Sequence, residues 1–416
     1  MSLDPKRTVA ELKELRELTG NADGAQRVAW TDTWLKSRAW LLDKLSDLPV
    51  QQHYDAAGNN WITLQGESPR SLLLGGHLDS VPNGGWLDGS LGVLASLEVL
   101  RRFATEFKGR PPTTIRVVDW ADEEGARFGR SLFGSSAFAG THSIAADRVR
   151  RDKDGLTMEE ALKRCRIDIQ AIGDSAVERT NAAAYLELHI EQGPVLERMG
   201  LPLAVVLGTK GVERHAFTFF GQEAHSGSTP MNARRDALAA AAKLALEIRT
   251  IAGKHPEAVC TMGSVKTFPG IVTAVVGRCE ATLDQRDLDP AVLASMYREA
   301  CEVSKRFAAE EGCTVEEAHI WSIEPIPFHP ALIKLAEETI VELAGTAPKL
   351  PSGPLHDAAE VARLGIPTVM LFVQSLKGIS HNKIEDTTPE HIEMSVAALD
   401  RLATKTMQWI LQETER

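Results

Sequence analysis

Five short stretches carry residues that can bind a cation or move a proton: Gly75-Gly-His77-Leu-Asp79-Ser, Trp86-Leu-Asp88-Gly-Ser-Leu-Gly, Asp119-Trp-Ala-Asp-Glu123-Glu124-Gly, Leu188-His189-Ile-Glu191-Gln192-Gly-Pro and Gly378-Ile-Ser-His381-Asn. Each lies at or just after an apolar run, where an open α/β sheet presents its ligand-binding edge. Together they offer three imidazoles and several carboxylates to one rim. That is the inventory a pair of neighbouring divalent ions needs, a bridging carboxylate included. Asp79, two residues beyond His77, is placed to steady that imidazole through its second nitrogen, and Asp88 stands where a helical run begins and the helix dipole favours a negative charge. A single histidine after a strand is ordinarily a satisfied core residue, and Glu123-Glu124 alone would be a solvated turn. Five compatible stretches, each flanked by glycines that let the backbone turn tightly, argue for a shared site.

The elements that must position these residues alternate. Short apolar runs at 71–74, 114–120, 184–189 and 367–373, with a helical pattern over 91–103, predict a large α/β catalytic domain whose mostly parallel sheet is flanked by helices. Between them the rhythm changes: strand 212–220, helix 232–251, strands 258–268 and 274–285, helix 290–311, strand 313–321. That order predicts a ferredoxin-like α+β insertion. The expected division is 1–210 and 326–416 for the catalytic domain and 211–325 for the insertion, with hinges near 208–211 and 323–327.

Composition narrows the classes. The 416 residues are about twice a usual domain. At 43% hydrophobic and 25% charged they leave no segment too polar to fold. A formal charge of -11 gives no basic face for phosphates, so nucleic acid is not an expected partner. No apolar run is long enough to span a bilayer and the first twenty residues lack a signal-peptide core, so a cytoplasmic protein is expected. Five cysteines (Cys165, Cys260, Cys279, Cys301, Cys313) with no close pair predict neither a disulfide framework nor a thiolate metal site, which leaves histidines and carboxylates as ligands.

With A-H-S-G-S-T-P-M at 224–231 and S-G-P-L-H-D-A at 352–358 added, the motif order resembles the hydantoinase/carbamoylase amidases. These are a branch of the aminoacylase and carboxypeptidase-like dizinc family that includes N-carbamoyl-L-amino acid hydrolases, β-ureidopropionase and allantoate amidohydrolases. The resemblance runs from about residue 27 to the C-terminus. It implies two divalent ions per subunit, zinc or else manganese, cobalt or nickel, held by His77, Asp88, Glu124, His189 and His381 with Asp88 bridging. It implies Glu123 as the general base that takes a proton from the attacking water and hands it to the leaving nitrogen, with Asp79 orienting His77. It implies substrate contacts from Gln192, His225, Arg286 and His356. The inserted domain would be a lid and dimerisation domain in a homodimer, His225 reaching the neighbouring subunit's site to stabilise the oxyanion.

One position departs from the pattern. Where the relatives read P-G-x-x-N-x-x-P-G, this chain has Pro269-Gly-Ile-Val-Thr273-Ala-Val-Val276-Gly277. Thr273 replaces an asparagine that, with Arg286, would take the substrate carboxylate. The leading expectation is hydrolysis of an N-carbamoyl-type amino acid or ureido compound. An N-acyl amino acid hydrolase or dipeptidase uses the same chemistry without releasing ammonia, and a non-catalytic scaffold is disfavoured because Glu123 and every implied ligand are present.

Overall fold

In the computed structural model, which describes residues 2–414, the chain forms two compact units: residues 1–207 with 328–416, and residues 208–327. Met1, Glu415 and Arg416, part of the expected catalytic-domain ranges, lie outside the described residues.

The first unit is built on a mixed sheet. Four strands at its centre, Thr368–Val373, Ala182–Ile190, Ser68–His77 and Thr113–Trp120, run parallel in that spatial order. Leu203–Thr209 joins one side antiparallel, and Asn60–Leu64 followed by Gln51–Tyr54 joins the other. The sheet is thus parallel only in its middle. The outermost flank, 51–54, escaped the sequence reading because it carries no alternation, being largely exposed polar residues.

The continuous apolar runs follow from burial on both faces. Leu72, Leu74, Val117, Leu186, Leu188, Val369 and Leu371 pack against helices Pro5–Thr19, Ser90–Glu106, Pro330–Ala344 and Pro389–Thr414. Their alternates Leu73, Val118, Tyr185, Met370 and Phe372 pack on the other face against Phe138, Ala358 and Val361. Register then fixes what meets at the strand ends: His77 stands opposite Trp120, Phe372 opposite His189. Among the described residues no helix is long and apolar enough to cross a membrane.

The second unit is a four-stranded antiparallel sheet in the order Val259–Phe268, Arg278–Asp287, Gly211–Phe220, Thr314–Ile323, with helices Ala237–Ala252 and Pro290–Glu310 packed on one face. This is the ferredoxin-like arrangement. Two elements differ from the sequence reading. The single strand over 274–285 is broken: Ala274–Val275 pairs with Ala224–His225, while Arg278–Asp287 joins the main sheet. Between them Gly277 donates to the Phe268 carbonyl, where a side chain would collide with Glu223. The first helix starts at Ala237, not 232, because the Asp236 carboxylate caps it by accepting from the Leu238 and Ala239 N–H groups. The unit's boundaries meet in a short ladder that pairs Gly208 with Pro327 and Thr209 with Ile326. There Gly208 has φ +146°, and a Cβ would sit 2.4 Å from the Ile326 carbonyl oxygen.

A buried ion pair ties the sheet to the rim. The Arg38 Nε lies 2.8 Å from the Asp119 carboxylate, which also accepts from the Leu78 N–H at 2.8 Å, one residue past His77. Both side chains are almost wholly buried. Asp119→Ala strands the guanidinium without its counter-ion and should cost about 3–5 kcal/mol. A lowered urea midpoint at unchanged m-value checks this, and a midpoint equal to wild type would refute it.

Candidate metal centre

The parallel strands deliver His77 from a last residue and His189 from a last but one, Glu123 and Glu124 from the turn after Trp120, and His381 from the loop after Val373. Backbone carbonyls fix both buried histidine rings. His77 Nδ1 is 3.1 Å from the Asp79 carbonyl and His189 Nδ1 is 2.9 Å from the Ile190 carbonyl. Each Nδ1 therefore carries a proton, and each Nε2 faces inward. Asp79 holds His77 by its main chain at closer range than by its carboxylate, which is 3.7 Å away. That carboxylate instead accepts from the Glu123 and Glu124 N–H groups, each at 3.2 Å, and so orients the glutamate pair as well.

Asp88 stands at the centre. Its Oδ1 is 3.1 Å from His189 Nε2 and 3.9 Å from His77 Nε2, while its Oδ2 is 3.4 Å from His381 Nε2. His381 Nε2 is 3.2 Å from Glu124 Oε2. The donors form two groups that share one carboxylate: His77, Asp88 and His189, and Asp88, Glu124 and His381. Gln192 donates to Asp88 Oδ2 at 3.0 Å, and the Ser380 hydroxyl oxygen lies 3.1 Å from the same atom. Gly89, which begins the helix behind Asp88 with φ +63°, lets the His77 ring lie against the backbone: a Cβ there would sit 2.3 Å from the ring.

The charges are held against their solvation preferences. Burial, then the charge of Glu124, raises Asp79 to about 8. Burial, then Asp357 and Glu124, raises Glu123 well above the usual carboxylate range. Burial would also raise Asp88, but His189, His77 and His381 outweigh it and hold it low. His189 is raised to about 9 because its bond to Asp88 overcomes burial, and His381 to about 9 chiefly by its bond to Glu124.

These residues fit a metal. His77 Nε2, Glu124 Oε1 and Gln192 Oε1 are buried without a hydrogen-bond partner. All-nitrogen-and-oxygen donor sets of this kind suit zinc, manganese, cobalt or nickel.

The remaining residues fall in two places. The His356 ring lies 4.4 Å from His189, with Nε2 buried and unpartnered, and burial followed by His189 pushes it well below its usual pKa. His225, Thr273 and Arg286 belong to the second unit. His225 and Thr273 are neighbours there, the Ser226 N–H donating to the Thr273 carbonyl. Arg286 is not with them: it lies at the far end of the strand that begins at Arg278.

Two carboxylates of the first unit escaped the sequence reading. Glu385 accepts from the Leu87 and Asp88 N–H groups, each at 3.1 Å, and from Ser380 at 2.9 Å. Glu187 accepts from the Tyr185 hydroxyl at 2.7 Å and forms a third possible donor group with His189 and His356. Position was the available signal: Glu187 lies two residues before His189, and Glu385 four after His381.

Residues 73–405 match the profile of Peptidase family M20/M25/M40. The chain belongs to this family. Its members are metal-dependent, and the chain is a hydrolase of amide-type C–N bonds. Among its relatives is the N-carbamoyl-L-amino acid amidohydrolase of Geobacillus stearothermophilus, 34% identical over 90% of this chain and 92% of that one. The allantoate amidohydrolase of Bacillus subtilis is 30% identical over 97% and 98%. The crystal structure of an amidase of the hydantoinase/carbamoylase family from Burkholderia multivorans superposes with a TM-score of 0.85 at 33% identity, covering 97% of this chain and 98% of that one.

Exhaustive chelation should lower the melting temperature and abolish hydrolysis, with both restored by divalent zinc, manganese, cobalt or nickel. Binding at a hundredfold excess over Kd stabilises by about 2.7 kcal/mol. A melting curve indifferent to chelator and to added metal would refute the site.

Proposed function

We propose that the chain hydrolyses the ureido C–N bond of an N-carbamoyl-type amino acid at a site holding two divalent ions. The carrying observation is Asp88, whose two oxygens face two separate donor groups. His77 and His189 would complete one ion's set, Glu124 and His381 the other's. Ions so placed polarise a carbonyl and lower the pKa of water.

The chain's own residues do the rest. Glu123 sits 3.7 Å from His77 Nε2 but outside both donor groups, and burial gives it a stronger hold on a proton than an exposed glutamate has. It takes the proton of the attacking water and returns it to the leaving nitrogen. For a carbamoyl substrate, one water in gives free amino acid, ammonia and carbon dioxide out. His225 Nδ1 accepts from the Gly227 and Ser228 N–H groups at 3.1 and 3.2 Å, so its proton is on Nε2, available to an oxyanion. The relatives' names support the carbamoyl reading. An N-acyl amino acid hydrolase is the second reading, separated from the first by whether ammonia is released.

The inserted unit supports a homodimer that shares its sites. From Arg278, near Thr273 and His225, the strand runs to Arg286 over eight residues, about 26 Å at ~3.3 Å each. One carboxylate cannot touch both ends within one chain. A site that uses both must take Arg286 from one subunit and Thr273 with His225 from the other.

Glu123→Gln should retain two bound ions by metal analysis and lose several orders of magnitude in kcat. Near-normal turnover would exclude Glu123 as the base. Mixed dimers of His225→Ala and Glu123→Gln subunits should recover part of the activity that either variant lacks alone. A fully active monomer, or no recovery on mixing, would exclude the shared site.

A further inference from the structure

The helix-free face of the inserted sheet carries an unbalanced cationic cluster. Phe217, Phe219, Cys279 and Leu283 point into the core beneath the helices, so the alternating Arg214, Asp284 and Arg286 lie on the opposite face. Asp284 is paired across the strands with Arg214 and accepts from its Nε at 2.8 Å. It also accepts from Arg286 Nε at 2.9 Å and Nη2 at 3.4 Å. Burial alone would raise the Asp284 carboxyl, but the bonds from Arg286 and Arg214 hold it below its usual range. One carboxylate thus fixes two guanidiniums, and the cluster keeps a surplus positive charge. By contrast, Arg278 and Glu280, farther along the same strand, are a neutral pair.

The free edges of both guanidiniums remain. Both Nη nitrogens of Arg214 and Nη1 of Arg286 have no hydrogen-bond partner among the described residues. The Arg214 guanidinium lies over the Trp321 ring, 5.0 Å from its centroid, which limits how it can turn. Arg214 and Arg286 are 47% and 32% exposed, so an anion can reach them without unfolding anything. Planar N–H forks of this kind match a carboxylate, and a surplus of one positive charge matches one such group.

We propose that Arg214 joins Arg286 in holding the substrate carboxylate, with Asp284 as the positioning residue that keeps both guanidiniums in place. This rests on the reading of Arg286 as a carboxylate contact. It gives this chain a second charged donor where Thr273 offers only a short hydroxyl.

The test uses metal-loaded full-length enzyme and a panel of N-carbamoyl amino acids, each beside its carboxamide. Arg214→Gln should raise KM for the carboxylates about ten- to hundredfold, the range for a lost charged hydrogen bond. The kcat and the carboxamide KM should barely change, and Arg214→Lys should recover part of the loss. If Arg286→Gln raises the carboxylate KM and Arg214→Gln does not, Arg214 only pairs strands and the proposal is overturned. Equal losses on carboxylates and carboxamides, or a lower melting temperature alone, overturn it too. If the wild type hydrolyses no member of the panel, the N-carbamoyl reading itself fails and the proposal falls with it.

Discussion

Asp88 must face two imidazoles with one oxygen and a third with the other, in a place where water is largely excluded. Around it Asp79, Glu123 and Glu124 are crowded at the ends of parallel strands, and burial drives Asp79 and Glu123 toward their protonated forms. Such crowding costs free energy that the protein alone offsets only in part, through hydrogen bonds from the backbone. The Glu123 and Glu124 N–H groups serve Asp79, and the Asp88 N–H serves Glu385. A bound metal would remove the remaining repulsion, and the acids and unpartnered donor atoms gathered at one rim fit that role.

Holding this arrangement distorts the main chain in identifiable places. Asp122, Gln192 and His381 all have φ between 54° and 57°, unusual for residues with a Cβ. Each lies at the rim: one before Glu123, one donating to Asp88, one a donor itself. Strain of this type is tolerated where surrounding contacts over-determine it. Asp122 is tied to Trp30 Nε1 at 2.9 Å, and the Gln192 N–H to Ser375 at 3.1 Å.

The inserted unit contributes by separation. Its sheet is long enough to keep the His225 and Thr273 end away from Arg286, and its helix-free face leaves Arg214, Asp284 and Arg286 open to solvent. The same alternation that buries Phe217 and Leu283 beneath the helices exposes these charges, so packing and recognition follow from one period-two pattern.

The sequence by itself determined which acids and histidines stand at the strand ends, the parallel centre of the main sheet and the ferredoxin-like order of the insertion. These are local: apolar runs and capping residues act over a few positions, and glycine-flanked acids and histidines mark the strand ends. Tertiary structure decided the rest. Glu385 touches Asp88 across almost three hundred residues, and no local pattern encodes that contact. Asp79 was legible as a partner for His77, yet its carboxylate turns to Glu123 and Glu124, because the register of His77 opposite Trp120 brings that turn alongside. Thr273 and Arg286 look like neighbours in sequence, thirteen positions apart. Gly277 breaks the strand between them, and the extended stretch that follows, rising about 3.3 Å per residue, carries Arg286 to the far end of the inserted unit's main sheet, away from Thr273.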